Sequence, residues 1–524
     1  MKRITDSKNR LIQLSVLFIL SSIGVSCSDL YDEHYSMDNT ERSDLNILDF
    51  MKSRDDLTKF VQLLEYTGYA DTLALSQSFT VFALTNDALE NLVMDEANRG
   101  KLKLQIGNHL TSYAQTSPGF IKAFNGKYLS LLKEDDKYYY AGVEIKEPNL
   151  LTKNGLVHIM GESVPYVFNI WEFIQQADYP IDSLRNYLNS LTELVFDTEK
   201  SYDENNVFID SIFRSENRFL KELGPVDNEL FYSTIIIPTN TAWDETYNKI
   251  FPYYRSLDKK ENNVVIKTGL QLQEERAKWA VIQDNLFYGL VPNPVEKDSL
   301  ISMSGNVFHN PQYLFEGADR GTFSNGYVFL TNQQKNKLED SWLKTIKVES
   351  EYDQFSLRTY ANCNIATNSS IGTSVVASNN YYVRLEPTTT NDNSKVWVKF
   401  PIPNTLANVK YNIYCVFIPT SAIDPTEEKS YKMNFYLSYL DEKGAKKTDV
   451  KIAGNLETEA SQVTKLLVAE NYQFSYCDLL PTTSANYSSD INVFLKIENA
   501  ALRRESAFSR NIAIDCIILE PVIE

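Results

Sequence analysis

One pattern occurs twice in this chain, and it narrows the possible folds more than any other feature. In the first copy, Phe79-Thr-Val-Phe-Ala-Leu84 runs into Thr85-Asn86-Asp87, and Asn154-Gly-Leu-Val-His-Ile-Met160 follows downstream. In the second, Ile235-Ile-Ile-Pro238 runs into Thr239-Asn240, and Asn325-Gly-Tyr-Val-Phe-Leu-Thr331 follows. Short apolar runs bounded by turn residues read as buried strands. Thr85-Asn86-Asp87 is expected to cap a helix starting near Ala88, with Glu90 three residues after Asp87; Thr241 and Asp244 repeat that spacing. The second copy carries about 17 more residues between its landmarks, an insertion that costs little because loop closure grows slowly with length. With the landmarks superposed, Leu286 is expected to match His109, and Phe329 to match His158.

Ahead of the first copy, Leu57, Phe60, Val61 and Leu64 recur at the spacing of one helix face, with Ser53 and Asp56 as a cap pattern and Gly68 as a stop. Together these landmarks resemble the fasciclin domain. Phe79–Leu89 is similar to its first signature, although Leu84 stands where the family usually has Pro. Asn154–Met160 followed by Pro165 is similar to the second, and His109 sits where a Tyr-His pair is usual. The resemblance implies an α+β fold for residues 43–165 and a degenerate second copy over 166–345, in which Pro238 restores the missing proline. It also implies adhesion or ligand binding, and framework roles for His109 and His158.

The N-terminus reads as a targeting segment. Lys2, Arg3, Lys8 and Arg10 precede an apolar stretch from Leu11 to Val25, which is too short for a membrane span. Gly24-Val-Ser-Cys27 resembles a lipobox, so residues 1–26 are expected to be a signal peptide and Cys27 the lipidated residue. Ser28, Asp29, Asp32 and Glu33 open an acidic tether over 27–42. It resembles the surface-export signal of lipoproteins from glycan-degrading bacteria, and a plain solvated tether reads the same way. Removing residues 1–26 takes four basic residues and one acidic residue from a net charge of −18, leaving −21. Such a body repels nucleic acid, so the expected partners are the membrane, through the lipid, and a glycan or an envelope protein.

Beyond Ala366–Asn380, a Ser/Thr/Asn-rich stretch, the pattern changes to short strands at Tyr381–Glu386, Val396–Phe400, Tyr411–Ile418, Met433–Leu440, Ile491–Ile497 and Ile512–Leu519. Residues 346–524 are therefore expected to form an all-β sandwich or jelly roll. The last strand resembles that of galactose-binding-like modules. The whole reads as two α+β fasciclin-like domains followed by a sandwich. Cys363, Cys415, Cys477 and Cys516 lack metal-ligand spacing, and whether they pair or stay free is open.

Catalytic motifs are absent: there is no metalloprotease, nucleophile-elbow or phosphate-loop pattern, and the chain has four histidines. No cofactor or metal is expected; Asn391-Asp392-Asn393 reads either as a polar turn or as an oxygen-rich cation loop. Tyr381 and Tyr382 are the candidates for stacking on a sugar, and strand alternation turns only one of them outward. Tyr411, Tyr431 and Tyr487 lie near other strand ends. The expected function is non-catalytic adhesion or ligand binding at the outer membrane, with a glycan-uptake system as one setting. A structural subunit of an envelope complex and an atypical glycoside hydrolase are the alternatives.

Overall fold

The computed structural model describes residues 42–176, 178–353, 356–480 and 491–523. Cys27, His34 and Tyr487 lie outside them. The chain divides into two compact units, at Val167/Phe168.

The first unit packs the helices Ile47–Lys52, Thr58–Thr67 and Arg99–Gly107 on a seven-stranded sheet. Its centre is a parallel pair, Phe79–Leu84 beside Gly155–Met160, in the register Phe79↔Gly155 to Leu84↔Met160. Phe79–Leu84 is buried at every position, which is why it reads as an unbroken apolar run. The Asn154-Gly155 turn that begins its partner is fixed by geometry. A Cβ on Gly155 would lie 2.0 Å from the Phe79 carbonyl oxygen, at φ +148°, so only glycine fits. Asn154 ties three segments together: its Oδ1 accepts from Ile47 N at 2.8 Å, and its Nδ2 donates to Leu73 O at 3.1 Å and Leu75 O at 3.0 Å.

The second unit begins with the same arrangement. Ser233–Pro238 pairs in parallel with Gly326–Thr331, in the register Ser233↔Gly326 to Pro238↔Thr331. A Cβ on Gly326 would lie 1.9 Å from the Ser233 carbonyl. Asn325 accepts from Ile170 N at 2.9 Å and donates to Val226 O at 2.8 Å and Asn228 O at 3.1 Å, reproducing the three bonds of Asn154.

The caps differ from the local expectation. Asn86 caps a distant helix rather than its own: its Oδ1 accepts from Lys59 N at 2.9 Å, at the start of Thr58–Thr67. Asn240 does the same for Ser183 N at 2.9 Å. Past Asn86 there is only the 3-10 turn Asp87–Leu89, whereas Asn240–Ile250 is a full helix. Thr58–Thr67 does stop at Gly68, left-handed at φ 80°.

The register also corrects one alignment. Phe82 N donates to His109 O and Ile236 N to Asn285 O, so the residue equivalent to His109 is Asn285, and Leu286 matches Leu110. Phe329 stands opposite Ile236 as His158 stands opposite Phe82. Between Asn240 and Leu286 the second unit also carries the hairpin Lys259–Glu261/Val264–Lys267.

The rest of the second unit is a sandwich of two antiparallel sheets. One has six strands built around Ile512–Pro521, joined there by Ile346–Glu349. The other has five, in the order Thr359–Ala361, Trp397–Pro401, Phe494–Asn499, Lys432–Leu440, Lys446–Glu457. The polar strands Cys363–Ser369, Lys446–Glu457 and Thr464–Gln473 escape a search for apolar runs because most of their side chains face solvent.

One continuous core runs from Ile170 through Trp243 and Val281 to Leu385, Phe435 and Leu519. At the join, Ala407 N donates to Tyr253 O and Cys477 N to Arg255 O. Arg276 Nη1 donates to Ser256 Oγ at 2.7 Å and contacts Cys477 Sγ at 3.1 Å. The four cysteines here are free and buried.

Candidate functional site

The outward face of the five-stranded sheet gathers side chains that a merely solvated face rarely combines. Strand alternation sends Val398, Phe400, Leu495, Ile497, Phe435 and Leu437 into the core. The intervening residues form three cross-strand rows: Trp397–Glu498–Asn434, Lys399–Lys496–Tyr436, and Pro401–Phe494–Ser438. Trp397, Tyr436 and Phe494 are all half-buried.

Polar contacts fix the side chains between these rings. Lys496 Nζ lies 4.8 Å from the Trp397 ring centre and 5.1 Å from that of Tyr436, a cation held between two aromatic faces. The Tyr436 hydroxyl donates to Glu498 Oε1 at 3.0 Å, and Asn434 Nδ2 reaches the same oxygen at 3.3 Å. Burial, and then the Glu498 carboxylate, raise the Tyr436 phenol above its ordinary value. Lys399 Nζ bonds Asp449 Oδ1 at 2.7 Å, and Lys496 Nζ stands 3.5 Å from Asp449 Oδ2. Burial would raise the Asp449 carboxyl, but the two lysines outweigh it and hold it below the usual range. These carboxylates are therefore committed acceptors. The face offers fixed hydrogen-bonding groups and ring surface.

The residues singled out from sequence fall elsewhere. Tyr381 begins a strand of the other sheet and is 43% exposed, whereas Tyr382 is 5% exposed and packs in the core. A stacking role for Tyr382 is thereby withdrawn, because its ring has no free face. Tyr411 and Tyr431 are also core residues. In the Asn391–Asn393 loop, Asp392 Oδ1 accepts from Arg503 N at 2.7 Å and Asn391 Oδ1 accepts from Asn393 N, the bonding of a polar turn. Sequence reasoning missed the sheet face, although Trp397-Val-Lys399 and Phe494-Leu-Lys496 share an aromatic-x-Lys spacing that marks one side of a strand.

Two further clusters hold titratable groups. Glu349, Asp515 and Cys516 bring ligand atoms within 4.8 Å of one another. Lys347 pairs with Glu349 at 3.1 Å, and Ser378 N and Oγ bond Asp515 and Glu349, so the cluster is already partly neutralised. Burial pushes the Asp515 carboxyl up to about 6. In the first unit, His109 Nδ1 lies 3.0 Å from Phe82 O and its Nε2 accepts from Val164 N at 3.1 Å. Asn149 N donates to His158 Nδ1 at 3.2 Å. Burial lowers both imidazoles to about 4, which keeps them neutral framework groups. Among the described residues, no helix is long and apolar enough to cross a membrane.

Comparison with known proteins places a fasciclin domain at residues 55–163. Among solved structures, a FAS1 domain pair of the insect cell adhesion molecule fasciclin I is 13% identical, covering 55% of this chain and 98% of that one at a TM-score of 0.20. A xylan-binding domain of carbohydrate-binding-module family 22 is 13% identical over 33% of this chain and 95% of its own, at 0.20. The family 22 xylan-binding domain from Paenibacillus barcinonensis is 11% identical over 35% and 95%, at 0.22. The chain is multidomain and mostly β, with a fasciclin domain near its N-terminus and a β-rich C-terminal region.

Proposed function

We propose that this is a non-catalytic, lipid-anchored protein of the outer membrane that binds a glycan through the outer face of its five-stranded sheet. One observation carries this reading: three half-buried aromatic rings share that face with fixed polar groups between them. The C–H face of a sugar ring is apolar and its rim is hydroxylated, so rings flanked by immobilised acceptors and donors complement it. Covering one ring contributes about 1–2 kcal/mol at ~25 cal/mol per Å². Two rings together then give about 2–4 kcal/mol, a Kd of about a millimolar or weaker before the hydrogen bonds are added. Calorimetry of the whole mature chain against a polysaccharide panel should show binding that Trp397→Ala weakens about tenfold. Absence of binding across the panel would sink the reading.

In this reading residues 166–345 are a second, degenerate fasciclin copy, supported by the matched bonds of Asn154 and Asn325 and of Asn86 and Asn240. Lipidation at Cys27 rests on the lipobox-like sequence. Cys27→Ser protein that is still processed and membrane-bound would contradict it.

A protein partner is the second reading, favoured by the hairpin Thr192–Phe196/Phe213–Asn217. Leu194, Val207, Phe208, Ile209 and Phe213 are all exposed on it and its connecting loop. Replacing 195–214 with a short turn should leave glycan binding intact; lost binding would place recognition there instead.

A further inference from the structure

The charge on the sheet face points to the class of glycan, an inference that rests on the glycan-binding reading above. The chain as a whole is strongly acidic, at −18. Its five-stranded sheet nevertheless turns Lys399, Lys432, Lys446, Lys451 and Lys496 outward on one face. Against them stand three outward carboxylates, Asp449, Glu457 and Glu498.

Two of these lysines are placed at a cost. Lys399 and Lys496 stand directly opposite each other on neighbouring strands, with side chains only 17% and 14% exposed. Like charges at such a pair destabilise a sheet, and partial burial adds a desolvation penalty. Asp449 offsets this by reaching between them from a bulged strand, where its backbone is left-handed at φ 49°. A face serving only solubility has no need of that arrangement, since a Thr or Ser pair at the same register costs nothing.

Lys432 bonds Glu505 at 2.8 Å, which leaves two cations uncommitted. Lys446 and Lys451, on the exposed edge strand, have no ion-pair partner among the described residues. Lys446 Nζ lies 5.9 Å from the Phe494 ring centre, and Lys451 stands opposite Tyr436. A sugar stacked on either ring would present its substituents to an unpaired ammonium group. We infer that the ligand is an anionic polysaccharide, its carboxylate or sulfate groups taken by Lys446 and Lys451 while its rings stack on Phe494 and Tyr436. The acidic remainder of the protein repels a polyanion, which confines binding to this face.

The test is calorimetry on the whole mature chain with polygalacturonate, a sulfated glycan and a neutral xylan. At least one anionic polymer should bind ten times or more tighter than the xylan. That preference should shrink between 50 and 500 mM salt, as exposed charges are screened. Lys446→Glu/Lys451→Glu should lose it while near-UV circular dichroism stays unchanged. The ratio between carboxylated and sulfated polymers identifies which anion is read. Equal binding of the neutral xylan, or anionic binding indifferent to the double reversal, overturns this inference and leaves glycan binding standing. No binding of any of the polymers overturns both.

Discussion

Acid should unfold the first unit well before the second, because its central parallel strand pair is flanked by buried histidines and the matching strand pair of the second unit has none at the equivalent positions. His109 and His158 are buried and held at about 4, against 6.5 for an exposed imidazole. Their counterparts by register are Asn285 and Phe329. A group whose folded pKa is depressed leaves stability untouched above its unfolded pKa. Its contribution is lost as pH falls from 6.5 toward 4, because in that window the unfolded chain binds the extra proton. At pH 5 the loss is about 2 kcal/mol for each histidine, or about 4 kcal/mol together, a large share of a typical domain's stability. In the second unit Asp515 works in the opposite sense. Its carboxyl is raised from 3.8 to about 6, so the folded state takes up the proton first and gains about 1 kcal/mol by pH 5. Hydrogen exchange on the whole chain at pH 7, 6 and 5, corrected for intrinsic rates, separates the units. Protection should fall in Phe79–Leu84 and hold in Ser233–Pro238. His109→Asn and His158→Phe import the residues at the matching positions of the second unit; each should roughly halve the pH slope whatever it costs at pH 7. Equal slopes in the two strands, or a slope unchanged by both substitutions, would refute the reasoning.

The glycines of the two Asn-Gly turns should be irreplaceable. Gly155→Ala and Gly326→Ala each force a Cβ to about 2 Å from a strand carbonyl, and each should cost more than ~2 kcal/mol in denaturant unfolding; a loss under 0.5 kcal/mol at either site would contradict the geometry. Arg276→Ala removes the contacts to Ser256 and Cys477 at the join within the second unit, and should destabilise it by about 1–3 kcal/mol. Exchange protection in Gly269–Ile282 and Lys410–Phe417 should then fall together; independent loss would show that the shared core does not couple them.

What could be read from the sequence was what is local. Phe79–Leu84 and the Asn-Gly turns announce themselves because burial on both faces demands an unbroken apolar run, and because the close backbone approach demands glycine. The roles of Asn86 and Asn240 could not be read: each caps a helix well upstream of itself, and no spacing rule carries that information. The equivalence of His109 to Asn285 rather than Leu286 is hidden from the sequence for a related reason. With Asn108-His109 replaced by Asp284-Asn285, only strand pairing fixes the register, and a slip of one residue inverts which side chains face the core.

The sheet face failed to appear for a different reason. Placement near strand ends singles out Tyr382, Tyr411 and Tyr431, yet large aromatic residues mostly fill cores, and these do. The rings that remain partly open belong to three strands spread from Trp397 to Glu498, and antiparallel pairing alone makes them neighbours. The shared core extends this dependence on tertiary structure to the fragment one can study. Phe417, Tyr431 and Phe435 of the sandwich lie in one continuous core with Trp243 and Val281. Cutting at residue 346 would also expose the Tyr253–Ala407 and Arg255–Cys477 backbone bonds to water. A sandwich isolated at that boundary would lose apolar contacts on one side, so weak binding by such a fragment would report a damaged fold as readily as a wrong ligand. The whole chain is the object on which recognition by Trp397, Tyr436 and Phe494 has to be measured.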